Sequence, residues 1–222
     1  MKPNLDLSVY GVLDPGRCRD RQLADMAAQA ARGGATLIQL RAKAASTRHL
    51  MDATEEVRRA LEPFAVPLLI NDRVDVALAV GGTGVHLGAE DMPADVARRL
   101  LGTDAIIGVT VRSAEDVEAL PVEAVDYASI GGVFATASKD NPAVPVGLDG
   151  LAHLRQRLAA RAPDLPVCAI AGIDHRNAAD VVAAGAHGVA VISDIFMADD
   201  VEAATRRLRT IVEAALGARG RP

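Results

Sequence analysis

Residues 65–93 read AVPLLINDRVDVALAVGGTGVHLGAEDMP. Two short apolar runs stop abruptly there at polar residues. Leu68-Leu69-Ile70 ends in Asn71-Asp72, and Gly84-Val85-His86-Leu87 ends in Gly88-Ala89-Glu90-Asp91. A continuous β-prone run marks a strand buried on both faces. Carboxylates just beyond two such strands can converge on one cation, and leaving them there without a ligand would be costly. Each aspartate also has a simpler reading as the N-cap of a following helix, so both readings stand at this point.

The pattern repeats along the chain. Apolar runs at 9–13, 36–40, 68–70, 84–87, 106–109, 127–130, 167–170 and 188–192 alternate with Ala-rich amphipathic stretches at 20–32, 46–61, 73–80, 94–101, 113–120, 148–161, 177–184 and 199–216. Gly33-Gly34, Gly185 and Gly217 read as helix stops, and Ser113 with Asp116 reads as a capping box. Strict β-α alternation with short connections implies a parallel sheet. Eight units in 222 residues fit a single-domain (β/α)8 TIM barrel spanning 1–222. The rival is a doubly wound open sheet, which carries a glycine-rich first βα turn. Here that turn reads Asp14-Pro15-Gly16-Arg17.

Composition narrows the function classes. Half of the residues are apolar and the net charge is −5, which argues against a nucleic-acid or polybasic membrane surface. The first residues contain Pro3, Asn4 and Asp6 and do not read as a signal peptide, and no apolar stretch reaches membrane-spanning length. The expectation is a cytoplasmic enzyme of small molecules, with self-association left open. Cys18 and Cys168 form no disulfide framework, and Cys168 reads as a small core residue. With no Trp, two Tyr and three Phe, the core falls to Ala, Val, Leu and Ile. His49, His153, His175 and His187 have no partner at metal-ligand spacing and read as surface residues.

In this fold the chemistry lies at the C-terminal ends of the strands. Gln39, Arg41 and Lys43 follow the second run at i, i+2, i+4, which points them to one side of an extended segment. Asn71 and Asp72 follow the third, His86, Glu90 and Asp91 the fourth, and Thr110 the fifth. The sixth leads into a long connection at 131–147, GGVFATASKDNPAVPVG, carrying Thr136, Ser138 and Lys139. Connections of that length in compact domains are lids or binding loops. The seventh and eighth ends, Ala171-Gly172-Ile173 and Ile192-Ser193-Asp194, fit a phosphate cradle built on backbone N–H groups. Two acids, several cations and one cradle suit a phosphorylated substrate and a magnesium-bound polyanion. Magnesium prefers one or two carboxylates plus ligand phosphates.

These residues resemble those of thiamine-phosphate synthases. The resemblance rests on Gln39-Leu40-Arg41-x-Lys43, Ile70-Asn71-Asp72-Arg73, Gly84-Val85-His86-Leu87-Gly88-x-Glu90-Asp91, Thr136-x-Ser138-Lys139 and the Ala-Gly-Ile and Val-Ile-Ser-Asp-Ile ends. It implies a transferase that joins 4-amino-2-methyl-5-hydroxymethylpyrimidine diphosphate to thiazole phosphate and releases pyrophosphate, by a dissociative substitution. It further implies that Gln39, Arg41, Lys43, Asn71 and Lys139 bind the pyrimidine diphosphate, while Thr110 stands where the family commonly has serine and keeps a substrate-binding hydroxyl. Asp72 and Asp91 would hold Mg²⁺. Thr136, Ser138, Gly172, Ile192 and Ser193 would bind the thiazole phosphate. Arg41, Lys43 and Lys139 would act on the leaving group. The alternatives are a thiazole tautomerase-like isomerase and a non-catalytic thiamine-phosphate-binding barrel.

Overall fold

The computed structural model describes residues 5–18, 21–136 and 144–219. Strand β1 (Val9–Leu13) pairs in parallel with both β2 (Leu37–Leu40) and β8 (Gly188–Val191). That double pairing closes the sheet. Around the ring lie β3 (Leu68–Asn71), β4 (Gly84–Leu87), β5 (Ile106–Val111), β6 (Tyr127–Ile130) and β7 (Val167–Ile170). Each is paired in parallel with its sequence neighbours in a closed barrel. The expected strands are all present, and four bounds shift: β2 starts at Leu37, β3 runs on to Asn71, β5 runs on to Val111 and β8 stops at Val191.

The helices form the outer layer. They are α1 (Leu23–Arg32), α2 (Thr47–Leu61), α3 (Val74–Ala79), α4 (Ala94–Leu101), α5 (Ala114–Ala119), α6 (Gly147–Arg161), α7 (Ala178–Ala183), the single turn α8 (Ser193–Phe196) and α9 (Val201–Arg219). Short 3₁₀ turns at Pro15–Arg17, Glu62–Phe64 and Val122–Ala124 went unread in the sequence. The capping box forms: the Asp116 N–H donates to Ser113 Oγ at 3.1 Å and the Ser113 N–H to the Asp116 carboxylate at 3.1 Å. Gly34 and Gly185 stand at positive φ just past α1 and α7, as helix stops do. Gly217 does not stop a helix. α9 runs through it to Arg219, because an open surface helix tolerates one glycine at a cost of about 1 kcal/mol.

Two apolar layers hold the barrel. Between strands and helices lie outward residues such as Val9, Leu13, Ile38, Leu40, Val85 and Ile107. Inside the barrel, Leu37, Leu69, Ile106 and Ala190 pack around Tyr10 and Tyr127. The aromatic-poor composition therefore hides a concentration: both tyrosines sit fully buried at the centre of the barrel. Two glycines on β4 and β5 allow the close packing, and Gly108 makes the room for Tyr127. A Cβ on Gly84 would meet the Ile106 carbonyl oxygen at 1.8 Å, and one on Gly108 would meet the Tyr127 ring at 2.0 Å.

Among the described residues, no helix is long and apolar enough to cross a membrane. Both cysteines are free and buried. Burial pushes the Cys18 thiol up to about 11 and the Cys168 thiol up to about 12.

Candidate active site at the C-terminal end of the barrel

Strand alternation sends every second side chain inward, and at the C-terminal end of the barrel these become polar. A cavity of about 430 Å³ opens there, within the size range of small-molecule sites. Its lining includes Gln39, Arg41, Asn71, Thr110, Thr136, Gly172, Ile192 and Ser193, so eight of the expected residues share one cavity. Ser138 and Lys139 lie outside the described residues.

Lys43, Asp72 and Asp91 are not part of that lining. They form a cluster beside it, joined through Asn71. Lys43 Nζ stands 3.0 Å from the Asp72 carboxylate, and Asn71 and Asp91 both hydrogen-bond to Asp72. The simpler N-cap reading fails for both acids. The N-caps of α3 and α4 are Arg73 and Pro93, and neither makes a side-chain cap bond. Asp72 adopts a left-handed conformation at φ 63°, tolerated by Asp, with its N–H donating to the His86 carbonyl at 2.9 Å. Asp91 receives the Gly88 N–H at 2.7 Å.

The two carboxyls of the pair are shifted in opposite directions. Burial works to raise the Asp72 carboxyl, but hydrogen bonds from Asp91, Lys43 and Asn71 outweigh it and hold it low. Asp91 is pushed up, first by burial and then by the neighbouring Asp72. A divalent cation would satisfy both carboxylates. Two carboxylates are too few for an all-protein cage, and no group of three or more His, Cys, Asp or Glu metal donors occurs among the described residues. They fit the Mg²⁺ habit of taking its remaining ligands from phosphate and water.

The Gln39, Arg41 and Lys43 side chains do not act as one face. Gln39 is buried and donates its amide to the Tyr10 hydroxyl. Arg41 is held by Asp14, whose side chain also accepts the Gly16 N–H at 2.9 Å. Lys43 turns to Asp72. The opposite wall is pinned by Asp194, which takes the His175 N–H at 3.1 Å and pairs with His175 Nδ1 at 2.7 Å, tying the β7 and β8 ends together. His175 is thus a structural tie rather than a plain surface residue. Half-buried His187 likewise accepts the Val167 N–H at 2.9 Å, while His49 and His153 are exposed. Gly172 lines the cavity and also meets a packing requirement. At φ 65°, a Cβ there would strike the Ala135 carbonyl oxygen at 2.4 Å, so glycine lets the loop after β6 close over β7. That loop is stitched at both described ends, Phe134 N–H to the Ala171 carbonyl at 3.0 Å and Val146 N–H to the Gly132 carbonyl at 2.9 Å.

The family described as thiamine monophosphate synthase matches residues 9–195, which contain every element of this site. The chain belongs to the thiamine monophosphate synthase family. It is 49% identical over 215 residues to a thiamine-phosphate synthase of Agrobacterium fabrum, covering 97% of this chain and 98% of that protein. It is 44% identical to one from Chloroflexus aurantiacus, covering 94% of each. Among solved structures it resembles a thiamine phosphate pyrophosphorylase from Pyrococcus furiosus, with a TM-score of 0.82, 37% identity, and coverage of 96% of this chain and 98% of that one.

Within this synthase-family site, the strand-end reading passed over two groups. Arg17, Arg112 and Arg176 also line the cavity. Arg112 directly follows β5, and Arg17 and Arg176 lie in the loops after β1 and β7, so a search of the whole strand-to-helix loops would have found them. The second group is Tyr10 and Tyr127 beneath the cavity floor, hydrogen-bonded to the strand-end residue His86 through Tyr127. The signal for it was that the chain's two tyrosines each lie in a buried strand, where a hydroxyl needs a partner.

Proposed function

We propose that this chain joins 4-amino-2-methyl-5-hydroxymethylpyrimidine diphosphate to thiazole phosphate, giving thiamine phosphate and pyrophosphate. The observation that carries this reading is the hydrogen-bonded Asp72–Asp91 pair, set beside Lys43 at the edge of a cavity with a polar wall on one side and the β7 and β8 ends on the other. A tautomerase, which only shifts protons, would leave that acid pair without a task. The site's place on one barrel mouth and the family membership support the same reading.

In this account the pyrimidine diphosphate lies against Gln39, Arg41, Asn71 and Thr110, with Lys43 and Lys139 on its diphosphate. The thiazole phosphate takes Thr136, Ser138, Gly172, Ile192 and Ser193. Asp72 and Asp91 hold Mg²⁺, which when bound neutralises charge on the diphosphate. The bond between the pyrimidine methylene carbon and the diphosphate oxygen breaks, and its electron pair leaves with pyrophosphate. The thiazole nitrogen lone pair then forms the new carbon–nitrogen bond. No protein nucleophile takes part. Arg41, already oriented by Asp14, and Lys43 are placed to stabilise the charge that grows on the leaving oxygen. Closure of the loop after β6 would keep water from the cationic carbon.

The test is incubation of the purified protein with both substrates and Mg²⁺, with thiamine phosphate measured by liquid chromatography. Product that needs both substrates and the metal supports the reading. Interconversion of thiazole phosphate isomers without condensation would replace it with the tautomerase reading.

A further inference from the structure

Five side chains from five strands form one hydrogen-bonded chain through the top of the barrel. The Gln39 amide donates to the Tyr10 hydroxyl, which lies 3.0 Å from the Tyr127 hydroxyl. Tyr127 reaches His86 Nδ1 at 2.8 Å, and His86 Nε2 reaches Thr110 Oγ1 at 2.8 Å. Gln39, His86 and Thr110 line the cavity, and the two tyrosines lie below it.

Proton counting orders this chain. Burial drives both phenols well above their ordinary range, so each keeps its proton and must donate it. With Gln39 donating to Tyr10, the Tyr10 proton goes to Tyr127 and the Tyr127 proton to His86 Nδ1. Nδ1 is then an acceptor, Nε2 carries the hydrogen, and Thr110 Oγ1 accepts it. The Thr110 hydroxyl hydrogen is left to point at the cavity. The Thr110 methyl is seated against the Gly131 backbone, where a Cβ would come within 2.8 Å of it, and this holds a β-branched rotamer in place.

We propose that His86 and Tyr127 are positioning residues that make Thr110 a hydrogen-bond donor, so that it selects an unprotonated ring nitrogen of the bound aminopyrimidine. The choice of aminopyrimidine rests on the function proposed above; the proton order does not. An amide, two phenols, one imidazole and one hydroxyl would act as a single directional unit. The effect would be to fix how the pyrimidine ring is turned before its leaving group departs.

The test begins with nitrogen-15 NMR of the uniformly labelled free protein, with the His86 signals assigned by their loss in His86→Gln. The expected tautomer has Nε2 protonated and Nδ1 bare, and a protonated Nδ1 overturns the proposal. Tyr127→Phe removes the proton donor to Nδ1. It should yield a mixture of tautomers and weaken calorimetric binding of the pyrimidine diphosphate about fivefold to tenfold, the usual net worth of one hydrogen bond. Thiazole phosphate binding should stay unchanged. An unaltered tautomer with unaltered pyrimidine diphosphate affinity overturns it. If Tyr127→Phe does not fold, the wild-type tautomer decides alone. A wild-type protein that binds no pyrimidine diphosphate would instead defeat the function reading, while the tautomer would still decide the proton order.

Discussion

The Tyr127 hydroxyl lies 2.8 Å from His86 Nδ1, and the two rings stack with centroids 5.6 Å apart at an interplanar angle of 26°. Their strands, β6 and β4, are not neighbours, because β5 runs between them. Contact is possible because β5 carries Gly108 opposite both residues, paired with His86 on one side and Tyr127 on the other.

Gly108→Ala should therefore destabilise the fold by about 3 kcal/mol, at the upper end of overpacking costs, since the new methyl would meet a fully buried ring at 2.0 Å. Denaturant midpoints measure it. In a double-mutant cycle with Tyr127→Leu, the two changes should couple favourably by about 2 kcal/mol. Strict additivity would mean that the ring does not occupy the glycine's space.

Asp72→Asn and Asp91→Asn should each lower turnover by about 10²-fold or more, the scale of losing a preorganised electrostatic group. Asparagine is the informative substitution. It tolerates the left-handed backbone at position 72 and can still accept the Gly88 N–H at position 91. Stability should move by no more than about 1 kcal/mol. Near-normal turnover with unchanged metal dependence in either variant would refute a shared metal site.

Ala171 holds φ 94°, a conformation that costs an L-residue about 1–3 kcal/mol. Ala171→Gly releases that strain and loses roughly 0.5–1 kcal/mol in chain entropy. The expected net gain is about 0.5–1 kcal/mol, read as a Tm increase of about 2 °C for a domain of this size. A fall in Tm would show that the alanine is unstrained.

Cys18 and Cys168 should not react with a thiol reagent at pH 8 until the protein unfolds, because only the thiolate is nucleophilic and burial holds both thiols near 11 and 12. The sign of the pH effect follows. In the unfolded chain these thiols ionise near pH 8.5, so the folded state loses stability as pH rises from there toward 11. Labelling of the native protein at the rate of a free thiol would contradict the burial.

Much of this was legible in the sequence, for a physical reason. Parallel strands buried on both faces produce unbroken apolar runs, and the polar residue that ends each run is forced to the mouth of the barrel. Asn71, Thr110 and Ser193 were therefore placed by pattern alone. Partner choice was less legible. The i, i+2, i+4 rule puts Gln39, Arg41 and Lys43 on one side, but their directions are decided by Tyr10, Asp14 and Asp72, which come from other strands. Local spacing marks Gly172 as room for a phosphate, but its contact with the Ala135 carbonyl is made across the sheet and is invisible to that spacing. The tyrosine pair was missed because an apolar-run reading counts Tyr as core and overlooks its hydroxyl.

On the proposed function, one barrel mouth couples pyrophosphate release to carbon–nitrogen bond formation. Phosphorus-31 NMR of the protein with both substrates measures this directly. One pyrophosphate is expected for each thiamine phosphate formed, with neither appearing when Mg²⁺ is chelated or when Asp72 and Asp91 are both replaced by asparagine. Thiamine phosphate formed at an undiminished rate in the chelated sample or in that double variant would contradict it, as would a protein that leaves both substrates unchanged.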